Sequence, residues 1–133
     1  MQNTKLNDIA FKALDHGVDS VKASGGPLVP FVLTESKINR FVAESLEEGK
    51  KKAEEFLSTQ SGEPVVALAY DGYLTLTGQK YDAIFVRAFA KEEELGIVLA
   101  QRYQPAKFLR KFQTIGNPAL VERPRNPLHN QGT

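Results

Sequence analysis

The sequence predicts an α+β domain, a two-layer sandwich of two N-terminal helices on a mostly antiparallel sheet of about five strands. Three observations carry this reading. Apolar residues in the first half recur at spacings of three and four, whereas after residue 63 the period changes to two. The order is helices first and strands last, α-β-α-β-β-β-β, which favours α+β over alternating α/β. The length of 133 residues, with 41% hydrophobic and 25% charged side chains, suits one globular domain.

The first helix is expected over residues 4–22, where Leu6, Ile9, Ala10, Ala13, Leu14, Val18 and Val21 fall on one face. Gly17 weakens its last turn by up to about 1 kcal/mol relative to alanine. Ser24-Gly25-Gly26-Pro27 then stops it. Residues 28–33 read as a strand, and Pro30 confines that strand to an edge or places itself at the strand's mouth. A long helix is expected over residues 36–57, with Ile38, Phe41, Val42, Leu46, Phe56 and Leu57 at helical spacing. Within it Ser45, Gly49 and Ala53 form a line of small residues suited to close packing, and the opposite face is charged. The strand–helix–strand connection over residues 28–70 suggests one parallel pair.

Residues 65–70 are apolar throughout, as in a strand covered on both faces. Asp71-Gly72 reads as a hairpin turn or as a bend within a single strand running on to residue 77. Gly78-Gln79-Lys80 is a turn, residues 81–90 a strong strand, and the three glutamates at 92–94 with Gly96 another turn. Residues 97–103 form the next strand and Pro105 breaks it. Residues 108–115 are expected to be the last full strand, followed by a short segment at 120–122. The domain thus spans residues 1–122, and 123–133 form an extended, proline-rich tail.

Within residues 81–90, Ile84, Val86, Ala88 and Ala90 share one side with Asp82, while Tyr81, Ala83, Phe85, Arg87 and Phe89 share the other. Both sides are largely apolar, yet one helical layer covers only one of them. The second face therefore needs a cover: the tail, a ligand, or a second copy of the chain. Homodimerisation is the expectation, through a surface formed by Tyr81, Phe85, Arg87, Phe89, Phe108, Arg110 and Phe112.

Chemistry is bounded mainly by exclusion. There is no cysteine, and the two histidines, His16 and His129, are too few for a histidine-built metal site. Phosphate-loop, nucleophile-elbow and zinc-protease patterns do not occur, so neither a cofactor nor a metal is expected. His16 near the end of the first helix reads as a surface or capping residue. Asp71 and Asp82, with Arg87 and Arg102, are the candidates for cofactor-independent acid–base chemistry on an anionic substrate. The plainer reading makes Asp71 turn chemistry and Asp82 the partner of Arg87 or Arg102 in a buried ion pair.

Charge divides along the chain. Residues 1–79 carry 8 basic and 11 acidic side chains, and residues 80–133 carry 9 and 5. Arg102, Lys107, Arg110 and Lys111 are interleaved with Tyr103, Phe108 and Phe112, a composition suited to RNA or single-stranded DNA. A solvated amphipathic strand accounts for the same residues and is preferred. No apolar run approaches the roughly 20 residues of a membrane span, and the N-terminus lacks the apolar core of a signal peptide. The chain is expected to be a cytoplasmic, non-catalytic interaction module with a protein partner, most simply itself.

Overall fold

A computed structural model describes residues 4–107 and 109–129. The elements run α1 (Thr4–Ser24), β1 (Phe31–Thr34), β2 (Ile38–Arg40), α2 (Leu46–Leu57), β3 (Val65–Leu76), β4 (Gln79–Ala90), β5 (Ile97–Gln104) and β6 (Gln113–Glu122). They build an α+β sandwich around one sheet of order β2-β1-β3-β4-β5-β6. The sheet has six strands rather than about five. Every strand pairing is antiparallel, including β1 with β3, so the parallel pair suggested by the strand–helix–strand order is absent among the described residues.

The extra strand comes from the expected long helix. Residues 38–40 leave it and fold back on β1 as β2, through a turn in which the Thr34 Oγ1 accepts from the Lys37 amide at 3.2 Å. The helix starts only at Leu46, where the Ser45 side chain accepts from the Glu48 amide at 3.1 Å. That serine ends the extended segment and satisfies a first-turn amide which has no partner inside the helix. Gly49 faces the Phe41 carbonyl and the Pro30 ring so closely that a Cβ there meets the carbonyl oxygen at 2.6 Å. With fully buried Ala53 it forms the close-packed part of the small-residue line, whereas Ser45, expected in the same line, is exposed at the helix cap.

The two helices lie against opposite faces of the sheet, so the layers are three rather than the expected two with both helices on one side. Along β3, Val65, Ala67 and Ala69 join the cluster packed by Leu6, Ile9, Ala13 and Leu14 of α1, whereas Val66, Leu68 and Tyr70 join Ala53 and Leu57 of α2. In β4, Ile84, Val86, Ala88 and Ala90 belong to the α1 side, and Phe85 and Phe89 to the α2 side. One residue changes face at each step along a strand, so the surplus of apolar residues on both faces is met by one helix on each. Gly17 lies where α1 comes nearest the sheet. A Cβ at that position stands 3.1 Å from Ile84 Cγ2 and 3.3 Å from Leu28 Cδ2.

β3 runs without interruption through Asp71 and Gly72, the bent-strand alternative for that pair. The hairpin to β4 is instead Thr77-Gly78, both with positive φ (47° and 78°), as a two-residue type I′ turn requires. Pro30 precedes β1, at the mouth of the strand. The last strand differs more. β6 spans Gln113–Glu122 and passes through Gly116 and Pro118, where the sequence pattern implied a break. It tolerates both because it is an edge strand with register shifts opposite Val98/Leu99 and Ala100/Arg102, and Gly116 takes a φ of 68°. Buried Gln101 secures the irregularity, its amide nitrogen donating to the carbonyls of Arg102, Ile115 and Gly116 at 3.0–3.3 Å.

The segment beyond β6 is docked. Gly96 donates to the Pro124 carbonyl at 2.7 Å, and the Asn126 amide donates to the Glu94 carbonyl at 2.9 Å. The Asn126 side chain, 4% exposed, donates to the Ala90 and Glu93 carbonyls and accepts from the Leu128 amide. Leu128 is 1% exposed in the core beneath α2. Part of the second face is thus closed by the chain's own C-terminal strap.

Candidate functional site

Two concave regions, one on each face, hold Asp71 and Asp82 on one side and Phe85, Arg87 and Phe89 on the other. On the α1 face, β3 and β4 bring Asp71 and Asp82 together at the sheet's end, beside the Gly25-Gly26-Pro27 loop. The cleft there has a volume of about 360 Å³ and is lined by Asp71, Tyr73, Asp82 and Tyr103, with Leu46 and Pro105 at its margin. Tyr73, Asp82 and Tyr103 are direct cross-strand neighbours in one row across β3, β4 and β5.

Asp71 does structural work in this cleft. Its Oδ2 accepts from the Leu28 amide and from the Tyr103 hydroxyl, both at 2.7 Å. These bonds fasten the loop after α1 to the sheet. Burial raises the Asp71 carboxyl above the usual carboxylate range; the Leu28 and Tyr103 hydrogen bonds act against the rise, and the nearby Asp82 adds to it. Burial also raises the Tyr103 phenol, and its hydrogen bond to Asp71 raises it further.

The two arginines expected beside these carboxylates are elsewhere. Arg87 and Arg102 are on the opposite face, because strand alternation separates residue 87 from 82 and register places Arg102 beside Ala83. Arg87 Nη1 binds Glu54 Oε2 of α2 at 2.8 Å, and the Arg102 guanidinium stacks 4.8 Å from the Tyr81 ring centroid. The buried Asp82–arginine pair is therefore replaced by a half-exposed Arg87–Glu54 pair. No arginine lines the Asp71–Asp82 cleft among the described residues, and an anionic substrate has no counter-charge there.

On the α2 face lies a groove of about 460 Å³, between α2 on one side and the end of β6 with the strap on the other. Its floor is Leu68, Phe85, Phe89 and Val98, and Phe85 stacks on Tyr70 with ring centroids 5.4 Å apart and planes 7° from parallel. Arg87 and Lys50 both approach the Tyr70 ring, at 5.2 and 4.2 Å. Burial raises the Tyr70 phenol above its ordinary value, with Arg87 opposing. Charged groups at the rim balance, Glu54 and Glu122 against Arg87 and Arg125.

The seven residues expected to form one interaction surface are divided. Tyr81, Phe85, Arg87 and Phe89 share the α2 face. Phe112 packs on the other face against Tyr103, ring centroids 5.6 Å apart, and Arg110 is exposed in the turn between β5 and β6, bridged to Lys107. Phe108 lies outside the described residues. Tyr103 is only 3% exposed and Phe112 half-buried, so these aromatics are turned inward and offer no stacking platform beside the basic side chains.

Sequence reasoning missed Glu54 and Tyr70, and it read Tyr103 with the basic–aromatic segment rather than as the partner of Asp71. Glu54 was hidden in a face that reads as solvated charge, and Tyr70 in a run that reads as core. His16 joins neither region. Its Nε2 accepts from the Arg40 guanidinium at 3.0 Å and its ring stands edge-on to Phe31, tying α1 to β2. His129 sits at the end of the docked strap, its amide donating to the Asn126 carbonyl at 3.3 Å. No group of three or more potential metal ligands occurs among the described residues, and none of their helices is long and apolar enough to cross a membrane. Compared with known proteins, the chain matches no family model, no curated protein and no solved structure.

Proposed function

We propose that the chain is a cytosolic, non-catalytic assembly module that pairs with a second copy of itself through the α2 face of its sheet. One observation carries the reading: α2 packs mainly on β1 and β3, which leaves that face bare of helix over β4–β6. There Tyr81, Phe85 and Ile115 are half-buried and Val121 is 44% exposed, an apolar strip wider than the strap covers. The balanced rim favours a second copy as occupant. Two glutamates and two arginines around an apolar floor complement their own image, whereas a nucleic acid needs a surface of one sign.

Sedimentation velocity across a range of concentrations tests this. The expected result is a reversible dimer in which Phe85→Glu shifts the population to monomer while the folded circular dichroism spectrum is kept. A monomer at every concentration, or a dimer indifferent to Phe85→Glu and Tyr81→Glu, overturns it.

A further inference from the structure

Two neighbouring turns at one end of the sheet carry apolar side chains where turns ordinarily place polar ones. β4 begins and antiparallel β5 finishes at this end, so the β3–β4 turn and the β5–β6 connection both project from it. In the second, the Lys107 amide donates to the Arg110 carbonyl at 3.0 Å and the Arg110 amide donates to the Lys107 carbonyl at 2.8 Å, which closes a tight turn. Leu109, within that turn, is 100% exposed. Turns favour glycine, asparagine, aspartate and serine, and a leucine held wholly in water adds nothing to the core. One exposed leucine is ordinary, but this one has company. Leu76 beside the neighbouring turn is 41% exposed, and Tyr73 on the same strand 62%.

Charge accompanies these apolar groups. Residues 74–81 and 104–113 hold four basic side chains, Lys80, Lys107, Arg110 and Lys111, and no acidic one. All four are exposed. The carboxylates nearest in the strands, Asp71 and Asp82, stand further back in the cleft. The chain as a whole has a net charge of only +1, so the cationic character is local to this end.

Apolar turn tips flanked by basic side chains match the surface of an anionic bilayer. The leucines enter the boundary of the acyl chains while the ammonium and guanidinium groups stay among the headgroups, and tyrosine suits the level between them. Nucleic acid is a poorer match. Its phosphates satisfy the basic residues, but Tyr103 and Phe112 are turned inward and an aliphatic leucine offers no ring to a base.

From this arrangement we infer that this end of the sheet docks peripherally on a bilayer containing anionic lipid, with Leu109 and Leu76 inserted and Lys80, Lys107, Arg110 and Lys111 on the headgroups. The chain then lies on the membrane rather than across it. None of these side chains lines the α2 groove, so docking leaves the assembly face free.

Flotation of the full chain with vesicles of phosphatidylcholine, with and without phosphatidylserine, tests the assignment. Binding to the phosphatidylserine vesicles is expected, weakening as salt is added, with little binding to phosphatidylcholine alone. Lys107→Gln and Arg110→Gln should each weaken it about fivefold, and Leu109→Ser about tenfold. The chain has no tryptophan, so Leu109→Trp supplies a single fluorescent reporter. Its emission should move to the blue on vesicle binding, whereas that of Phe11→Trp, exposed on α1, should not. All these sites are exposed, and unchanged thermal melting keeps loss of binding distinct from loss of fold. Absence of vesicle binding, equal binding to phosphatidylcholine alone, binding indifferent to Leu109→Ser, or an unshifted Leu109→Trp emission overturns the inference. A single-stranded oligonucleotide that binds more tightly than the vesicles reassigns the basic tip and overturns it equally. None of these outcomes depends on self-association.

Discussion

Asp71 is where the fold depends most on one polar atom. A single oxygen accepts the Leu28 amide and the Tyr103 hydroxyl, each at 2.7 Å, and thereby joins the loop after α1 to β5 across β3. Asp71→Ala leaves both donors without a partner in a site where Leu28 and Tyr103 are each 3% exposed. At about 1–3 kcal/mol for each unsatisfied buried group, the loss is about 2–6 kcal/mol. Asp71→Asn retains a carbonyl oxygen for both donors and removes the charge that burial opposes, so it should cost far less.

The pH dependence fixes the sign. Because the folded-state carboxyl is raised, the folded chain holds the proton more tightly than the unfolded chain does. The stability this group contributes is complete below the unfolded carboxylate value of about 3.9 and is lost as pH rises through the folded value. Asp71→Asn has no such titration. Its stability relative to wild type should therefore increase as pH rises above the unfolded carboxylate value and level off once pH has passed the raised folded value. Urea denaturation followed by circular dichroism at several pH values measures both effects. Asp71→Asn as damaging as Asp71→Ala, or a difference that falls as pH rises, refutes the reasoning.

Three further substitutions test other parts of the architecture. Leu128→Ala empties a site 1% exposed beneath α2 and should cost about 2–5 kcal/mol in urea denaturation, whereas a freely extended tail shows no change. Gly17→Ala gains up to about 1 kcal/mol of helix propensity but brings a methyl to 3.1 Å from Ile84, so thermal melting should show a net loss where an exposed helix site shows a gain. Thr77→Asn relieves a β-branched residue at a φ of 47° and gives the type I′ turn its preferred Asn-Gly pair, which should stabilise the hairpin by about 1 kcal/mol.

What was legible in the sequence, and what was not, divides along physical lines. The period-two pattern of residues 81–90 assigned each of those side chains to its face, because alternation in a strand leaves no other solution once one face is apolar. The start of α2 was misplaced for the opposite reason. Ile38, Phe41 and Val42 happen to continue the helical spacing of the residues after them, yet Val42 is 78% exposed. The signal that corrects it was local: Ser45 followed three residues later by Glu48 is the sequence signature of a helix start. The passage of β6 through Gly116 and Pro118 was not legible, since it depends on an edge position and on Gln101 reaching across from β5. The docking of the tail through Asn126 had no periodic signal at all. A single asparagine satisfying two carbonyls of a distant turn is a tertiary event.

The candidate sites follow from the same alternation. Asp82 and Arg87 are five residues apart on one strand, an odd interval, and β4 is regular between them, so they face opposite sides of the sheet. Parity along β4 keeps Arg87 from the two aspartates, and the β4–β5 register does the same for Arg102. Parity also separates the anionic cleft, made by residues 71, 73, 82 and 103, from the aromatic groove, made by 70, 85, 87 and 89. The sheet stands between them, covered by α1 on one side and by α2 with the strap on the other. The cleft on the α1 face and a second copy on the α2 face therefore use different side chains. Asp82→Asn should then leave the dimer population unchanged in sedimentation.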